Sequence, residues 1–164
     1  MHKIALLAAF SINHVIGSEG KIPWNLPSER IRFKAICKGK YIIMGRKSFD
    51  EIGHGLPYCT IIIVSKKMKE APKGCVLAAT LDDALEIAEK NCTSLEDEIL
   101  VAGGAEIYKQ TFPLCSKIYG TVIQKKIKGD TFFPQIPETW KKETESCHLE
   151  NGIEYHYVTW TSDN

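Results

Sequence analysis

The chain of 164 residues contains no apolar run near the roughly 18 residues that a membrane span needs, so no membrane association is expected. It has no excess of one charge either. Lys plus Arg number 21 against 20 Asp plus Glu, a net +1. Bulk electrostatic binding to nucleic acid is therefore not expected, and any phosphate site must come from a local cluster of cations. Close cysteine pairs are missing as well. Cys37, Cys59, Cys75, Cys92, Cys115 and Cys147 are scattered, with no Cys-x-x-Cys spacing of a zinc or redox site. The apolar residues 4–10 behind Met1-His2-Lys3 form too short a run for a signal peptide, and no small-residue cleavage site follows. Nothing else points to secretion, so reduced cysteines and a cytoplasmic protein are the expectation.

Repeats, linkers and low-complexity tracts are also lacking, and one domain over residues 1–164 is expected. Hydrophobic residues at 44% and charged residues at 25% are ordinary for a globular protein with a real core. Strand-like runs rich in β-branched residues occur at 4–9, 41–44, 60–65, 75–78, 98–102, 117–122 and 155–161. The early ones are continuously apolar, as strands covered on both faces should be. Helix-like segments lie between them at 28–37, 81–90 and 105–112. The second is the clearest: Thr80 can cap it, and Leu81, Ala84, Leu85 and Ala88 form one stripe. This alternation predicts an α/β layer fold with a mostly parallel sheet. Residues 140–148 and 153–161 flank Glu150-Asn151-Gly152, a hairpin turn that predicts an antiparallel edge.

The most informative stretch runs from Ile16-Gly17 through Lys21-Ile22-Pro23-Trp24-Asn25-Leu26-Pro27-Ser28-Glu29. Two prolines stiffen the approach to a helix whose first turn carries one acid. Taken alone, Glu29 does no more than favour the helix dipole. Its surroundings change that reading. Trp24-Asn25-Leu26-Pro27 with an acid two residues later resembles the active-site loop and helix of the dihydrofolate reductase family. Companion motifs follow in the family's order: Ile43-Met44-Gly45-Arg46-Lys47-Ser48-Phe49, Ile52-Gly53-x-x-Leu56-Pro57, Val101-Ala102-Gly103-Gly104-Ala105-Glu106-Ile107-Tyr108, and Gly129-Asp130-Thr131-x-Phe133-Pro134.

The resemblance implies an α/β fold: a central, mostly parallel eight-stranded sheet with an antiparallel C-terminal edge and helices on both faces. It implies NADPH-dependent reduction of 7,8-dihydrofolate to tetrahydrofolate, by hydride transfer to C6 with protonation at N5. Glu29 would accept the two parallel N–H donors of a 2-amino-4-oxo pterin. The proton would reach N5 through water, with the carboxylate raising the ring's basicity. Thr121, otherwise an ordinary strand threonine, would bond the acid and the amine. Trp24 and Tyr108 complete the implied catalytic set, although Tyr108 as a lone aromatic reads equally as core. Leu7, Ala8, Phe33, Met44, Ile52, Leu56 and Ala102 would wall the substrate pocket.

The implied cofactor contacts are Ala9, Ile16, Gly17, Ile22, Gly45, Arg46, Lys47, Ser48, Val64, Ser65, Lys66 and residues 102–108 (Ala102, Gly103, Gly104, Ala105, Glu106, Ile107 and Tyr108). Arg46-Lys47 and Lys66 follow two strands whose ends could meet around a 2′-phosphate dianion, whereas Lys66-Lys67 alone would be solvated surface. Ser48 can bond the pyrophosphate. The family carries a cis peptide at the glycine pair. A plain strand-to-helix turn would also use Gly-Gly. The partner implied is a small-molecule substrate, the expected state is a monomer, and no metal is implied.

Two positions depart from the family. Cys59 stands where the family carries an arginine that grips the glutamate tail of folate, and a thiol offers no forked cation. Arg30 replaces a usually apolar residue facing the substrate. It either reaches into the cleft, with Lys34 assisting from the same face, or points to solvent. Three rival readings follow: a reductase of a dihydropterin lacking the tail, the pyrimidine reductase of riboflavin synthesis, and a non-catalytic NADPH-binding module. The segment 24–29 argues against the second, and Glu29, Trp24, Thr121 and Asp130 together argue against the third.

Overall fold

The computed structural model describes residues 3–94 and 96–163. The strands are β1 (Lys3–Ser11), β2 (Val15–Gly17), β3 (Tyr41–Gly45), β4 (Thr60–Val64), β5 (Cys75–Ala78), β6 (Glu98–Val101), β7 (Lys117–Ile123), β8 (Thr131–Phe132), β9 (Lys141–Glu150) and β10 (Ile153–Thr161). The helices are α1 (Glu29–Cys37), α2 (Arg46–Ile52), α3 (Leu81–Asn91) and α4 (Ala105–Thr111). Eight strands form one sheet in the order β5-β4-β3-β6-β1-β7-β10-β9. The pairs from β5 across to β7 are parallel, while β10 is antiparallel to both β7 and β9. This is the sheet the sequence predicts.

Side chains alternate across the strands, and the alternation builds two cores. Ile43 and Ile62 join Ala84 and Ala88 of α3 and Ile107 and Tyr108 of α4 on one face. Ile42, Met44, Ile61 and Ile63 join Cys37 of α1 and Phe49 of α2 on the other. Both faces are covered, which is why β3 and β4 read as continuous apolar runs rather than alternating ones. Thr80 caps α3 as expected, its Oγ1 accepting from the Asp83 N–H at 3.1 Å. The hairpin turns at Asn151-Gly152 with both φ values positive, 52° and 76°, the conformation a two-residue turn demands. None of the described helices is long and apolar enough to cross a membrane.

A second sheet, β2 paired with β8, was not legible beforehand. Strands of three and two residues leave no periodicity to read. This small sheet ties the loop after β1 to the Gly129-Asp130-Thr131 segment. A Cβ at Gly129 would lie 2.3 Å from Val15 Cγ1 and 2.6 Å from the Gly17 carbonyl oxygen, so only glycine permits the approach. The Asp130 carboxylate accepts from the Glu19 N–H at 3.1 Å, and the Asn13 side chain bonds both the N–H and the carbonyl of Ile127 at 3.0 and 2.8 Å.

Candidate active site

The parallel strands β1, β3 and β6 end at the floor of a cleft of about 780 Å³, the position where ligands bind in open α/β sheets. One end is built around Glu29, the first residue of α1. The chain reaches it through Leu26 and Pro27. Ser28 then anchors the helix start, its N–H and hydroxyl both donating to the Glu150 carboxylate. Thr121 in β7 donates its hydroxyl to Glu29 Oε1 at 2.6 Å, so strand and helix jointly aim the acid. Burial pushes the Glu29 carboxyl above the ordinary carboxylate range, and the Thr121 hydrogen bond and the charge of Arg32 oppose that shift. Leu7, Ala8, Phe33, Met44, Ile52 and Ala102 supply apolar wall beside the carboxylate. A flat heterocycle with two adjacent donors fits such a place.

The other end is made of backbone and cations. The Gly103–Gly104 peptide is cis. Gly103 has φ of 107°, and a Cβ there would lie 3.2 Å from Ser48 Oγ and from the Tyr108 ring, so the chain is bare where a ligand approaches. Gly45, Gly103 and Gly104 line the cleft together with Arg46, Lys47 and Ser48. Parallel pairing sets Gly45 beside Val64, which brings Arg46-Lys47 and Ser65-Lys66 to adjacent strand ends. The Ser65 hydroxyl accepts from the N–H groups of Lys67 and Met68 at 3.3 and 3.1 Å, leaving its own proton to donate. A bare glycine floor flanked by cations and hydroxyls fits the phosphates of an NADPH molecule. Tyr108 is fully engaged, its hydroxyl donating to the Leu7 carbonyl at 2.7 Å, and burial keeps that phenol protonated.

The dihydrofolate reductase family model matches residues 3–162 of the chain. The chain belongs to the dihydrofolate reductase family. It is 34% identical to the dihydrofolate reductase of Bacillus subtilis (strain 168), covering 98% of this chain and 95% of that one. It is 38% identical to the type 6 dihydrofolate reductase of Proteus mirabilis, covering 96% and 98%. A solved structure of the Enterococcus faecalis dihydrofolate reductase, complexed with NADP(H) and RAB-propyl, superposes with a TM-score of 0.83 at 28% identity. That superposition covers 99% of this chain and 97% of that one.

Most residues singled out from the sequence meet in the cleft. They are Leu7, Ala8, Ala9, Ile16, Gly17 and Ile22 from β1 and its loop, Glu29 and Phe33 from α1, Gly45, Arg46, Lys47, Ser48 and Ile52 around α2, residues 102–108, and Thr121. Others stand apart from its wall. Trp24 is half-buried and packs with Leu26, Ile123 and Tyr155. Leu56 packs behind, in the core that holds Met44 and Phe49. Val64, Ser65 and Lys66 lie beyond the wall at the end of β4.

Arg30 and Lys34 are exposed. Of the two orientations open to Arg30, the structure has the outward one, and the cation that α1 contributes to the wall is Arg32. Helix geometry explains this: at about 100° per residue, Arg32 and Phe33 fall within about 60° of Glu29, whereas Arg30 lies about 100° away. The same spacing, applied to the sequence, would have found Arg32. It also explains why Ile31 is 75% exposed despite its apolar side chain. Lys21, Glu51 and Thr131 line the cleft too, and of these Glu51 falls in no motif. Cys59 is half-buried in the apolar core with Leu56 and Phe33, and burial together with Cys75 pushes its thiol up to about 11. It offers an anionic tail no charge. Lys34 lies near the adjoining Tyr58, its Nζ 5.6 Å from the ring centroid.

Proposed function

We propose that the chain reduces 7,8-dihydrofolate to tetrahydrofolate with NADPH, consuming one proton, and that Glu29 is the acid that holds the pterin. The observation that carries the reading is the half-buried Glu29 carboxylate with Thr121 fixed 2.6 Å away, at the apolar end of a cleft whose other end is bare glycine backbone and cations. Glu29 accepts the pterin's 2-amino group and adjacent ring N–H through its two oxygens. Thr121 holds the carboxylate in the orientation those bonds need, and its oxygen lone pairs remain for the amine. The negative charge at the ring's edge raises the basicity of N5, so that a proton from water is taken up there. Bound NADPH would supply the hydride that C6 receives.

Arg46, Lys47, Ser65 and Lys66 would hold the 2′-phosphate, and Ser48 the pyrophosphate. Gly103 and Gly104 would let the cofactor lie against the sheet. Tyr108 would support the nicotinamide region, and Trp24 would stiffen the loop leading to Glu29. Asn13, Glu19 and Asp130 tie that loop to the 127–131 segment, giving it a hinged frame for closing over the site. The reading includes one domain over residues 1–164, a monomer, a cytoplasmic location and no nucleic-acid or membrane partner. The near-neutral net charge supports the lack of a nucleic-acid partner.

One observation favours a second substrate. Cys59 puts an uncharged thiol where the family's tail-gripping arginine stands, so a dihydropterin without a glutamate tail would lose less here than in relatives. Loss of NADPH absorbance, followed with dihydrofolate beside a tail-less dihydropterin, tests both readings. Efficient turnover of dihydrofolate is expected. Turnover of the tail-less compound alone would transfer the activity to the second reading, and no turnover of either would remove it.

A further inference from the structure

We infer that Arg32 is a positioning residue: its guanidinium is the fixed counter-ion of Glu29, held in the cleft wall by β7 and β9, and it sets the pH at which the acid loses its grip on the pterin. The inference rests on the reductase reading for the identity of the ligand and on the geometry for everything else. Arg32 lies one helical turn beyond Glu29 on the same face of α1 and lines the same cleft. Its side chain is only 11% exposed, unusual for a residue type that normally keeps its charge in water.

Three partners hold it. Nη1 donates to the Gly120 carbonyl at 3.2 Å, Nη2 lies 3.8 Å from Glu145 Oε2, and the guanidinium carbon sits 4.0 Å over the centre of the Tyr157 ring. Gly120 immediately precedes Thr121, so consecutive residues of β7 hold Arg32 and Glu29. Glu145 owes its place to an irregularity: Tyr157 pairs with Ser146 and Val158 with Thr144, which leaves Glu145 as the extra residue of a bulge. The Thr159 hydroxyl pins it further, donating to Glu145 Oε1 at 2.6 Å. Bulge, strand carbonyl and ring face together fix one cation in the wall of the cleft that Glu29 also lines.

The remaining charged and titratable groups make that cation necessary. Around the Glu29–Arg32 pair stand Thr121 and Tyr119 from β7, Glu150 and Glu145 from β9, and Tyr157 from β10, itself beside Tyr155 and with its ring tilted against that of His148 at a centroid distance of 4.5 Å. Among these described groups Arg32 is the one permanent cation. Without it the Glu29 carboxylate would keep the unfavourable charge of Glu150 and lose its counter-charge, which favours the protonated form.

The test reads ligand binding rather than turnover. Folate affinity, followed by quenching of tryptophan fluorescence between pH 5 and 9, should weaken as pH falls through the titration of Glu29. The tail carboxylates of folate titrate alike in every variant. Arg32→Met should move this limb to higher pH by about one unit, the size of effect an adjacent opposite charge has on a carboxyl, and Arg32→Lys should restore most of it. Glu145→Gln, which frees Arg32 of its outer partner, should move the limb the other way. Should Arg32→Met fail to fold, the Lys and Gln variants decide: a downward shift for Glu145→Gln with a near-parental limb for Arg32→Lys supports the inference. A uniform loss of affinity at all pH values with an unmoved limb would show that Arg32 is merely structural. Failure of the parent protein to bind folate at any pH would overturn the reductase reading, and this inference with it.

Discussion

At the end of the cleft proposed for the pterin, Glu29 meets a hydroxyl at 2.6 Å from a strand and is flanked by a guanidinium that three further groups hold in place. At the phosphate end, Arg46 is half-exposed and shares only a loose 3.8 Å contact with Asp50 on its own helix. The first end is assembled in advance, around a half-buried acid. The second offers charge on long, solvated side chains that gather only around an anion. A prebuilt site should answer single substitutions with large, specific losses in chemistry. A solvated cluster should answer with smaller, shared losses that salt mimics.

Glu29→Gln should sharpen this contrast most. Turnover should fall about 100- to 1,000-fold, as for removal of a preorganised charge, while NADPH affinity stays unchanged. The same variant should be more stable than the parent at neutral pH. The Glu29 carboxyl is raised in the folded state, so its ionisation opposes folding. That penalty is absent below the ordinary carboxylate range, where the group is protonated folded or unfolded, and it grows as pH rises through the folded-state value. Melting temperatures of the two proteins should therefore converge in acid and separate at neutral pH. Convergence at every pH would contradict the buried setting assigned to Glu29.

At the opposite end, replacing Arg46, Lys47 and Lys66 together with Ala should erode the preference for NADPH over NADH. Each well-formed charged contact is worth about 1.5–3 kcal/mol, and the three should not add fully. The parent's KM for NADPH should rise with salt in the same direction. An unchanged preference in the triple variant would place the phosphate elsewhere. Thr121→Val should come next, lowering kcat/KM for dihydrofolate roughly tenfold through loss of one hydrogen bond to a charged group. Arg30→Leu should do least. An exposed side chain outside the cleft should leave kcat and KM for dihydrofolate within about twofold of the parent, as surface changes usually do. A strong, selective rise in KM would show that Arg30 swings inward when substrate binds.

The same contrast governs what the sequence reveals. β3 and β4 were legible because their runs of isoleucine carry the mark of burial on both faces, and Glu29, Thr121 and Gly103-Gly104 because motif order leaves few alternatives. Arg32 was passed over because Arg30 adjoins the acid in sequence, whereas a helix brings the third residue along, not the first, onto the same face. The pairing of β2 with β8 left no trace because its cause is long-range. Gly129 is glycine on account of Val15 and Gly17, more than a hundred residues earlier in the chain. The bulge at Glu145 was equally hidden, since one surplus residue in an exposed strand alters no hydrophobic pattern.

The central claim is that the two ends meet in one event, with the cofactor at the glycine floor and the pterin on Glu29. A single turnover with NADPH deuterated at the transferring position of nicotinamide C4, plus dihydrofolate, tests it most directly. Tetrahydrofolate carrying deuterium at C6, seen by NMR in the parent and reduced in proportion to rate in Glu29→Gln, is the predicted result. Recovery of unlabelled pterin, or an equal rate in Glu29→Gln, would contradict it.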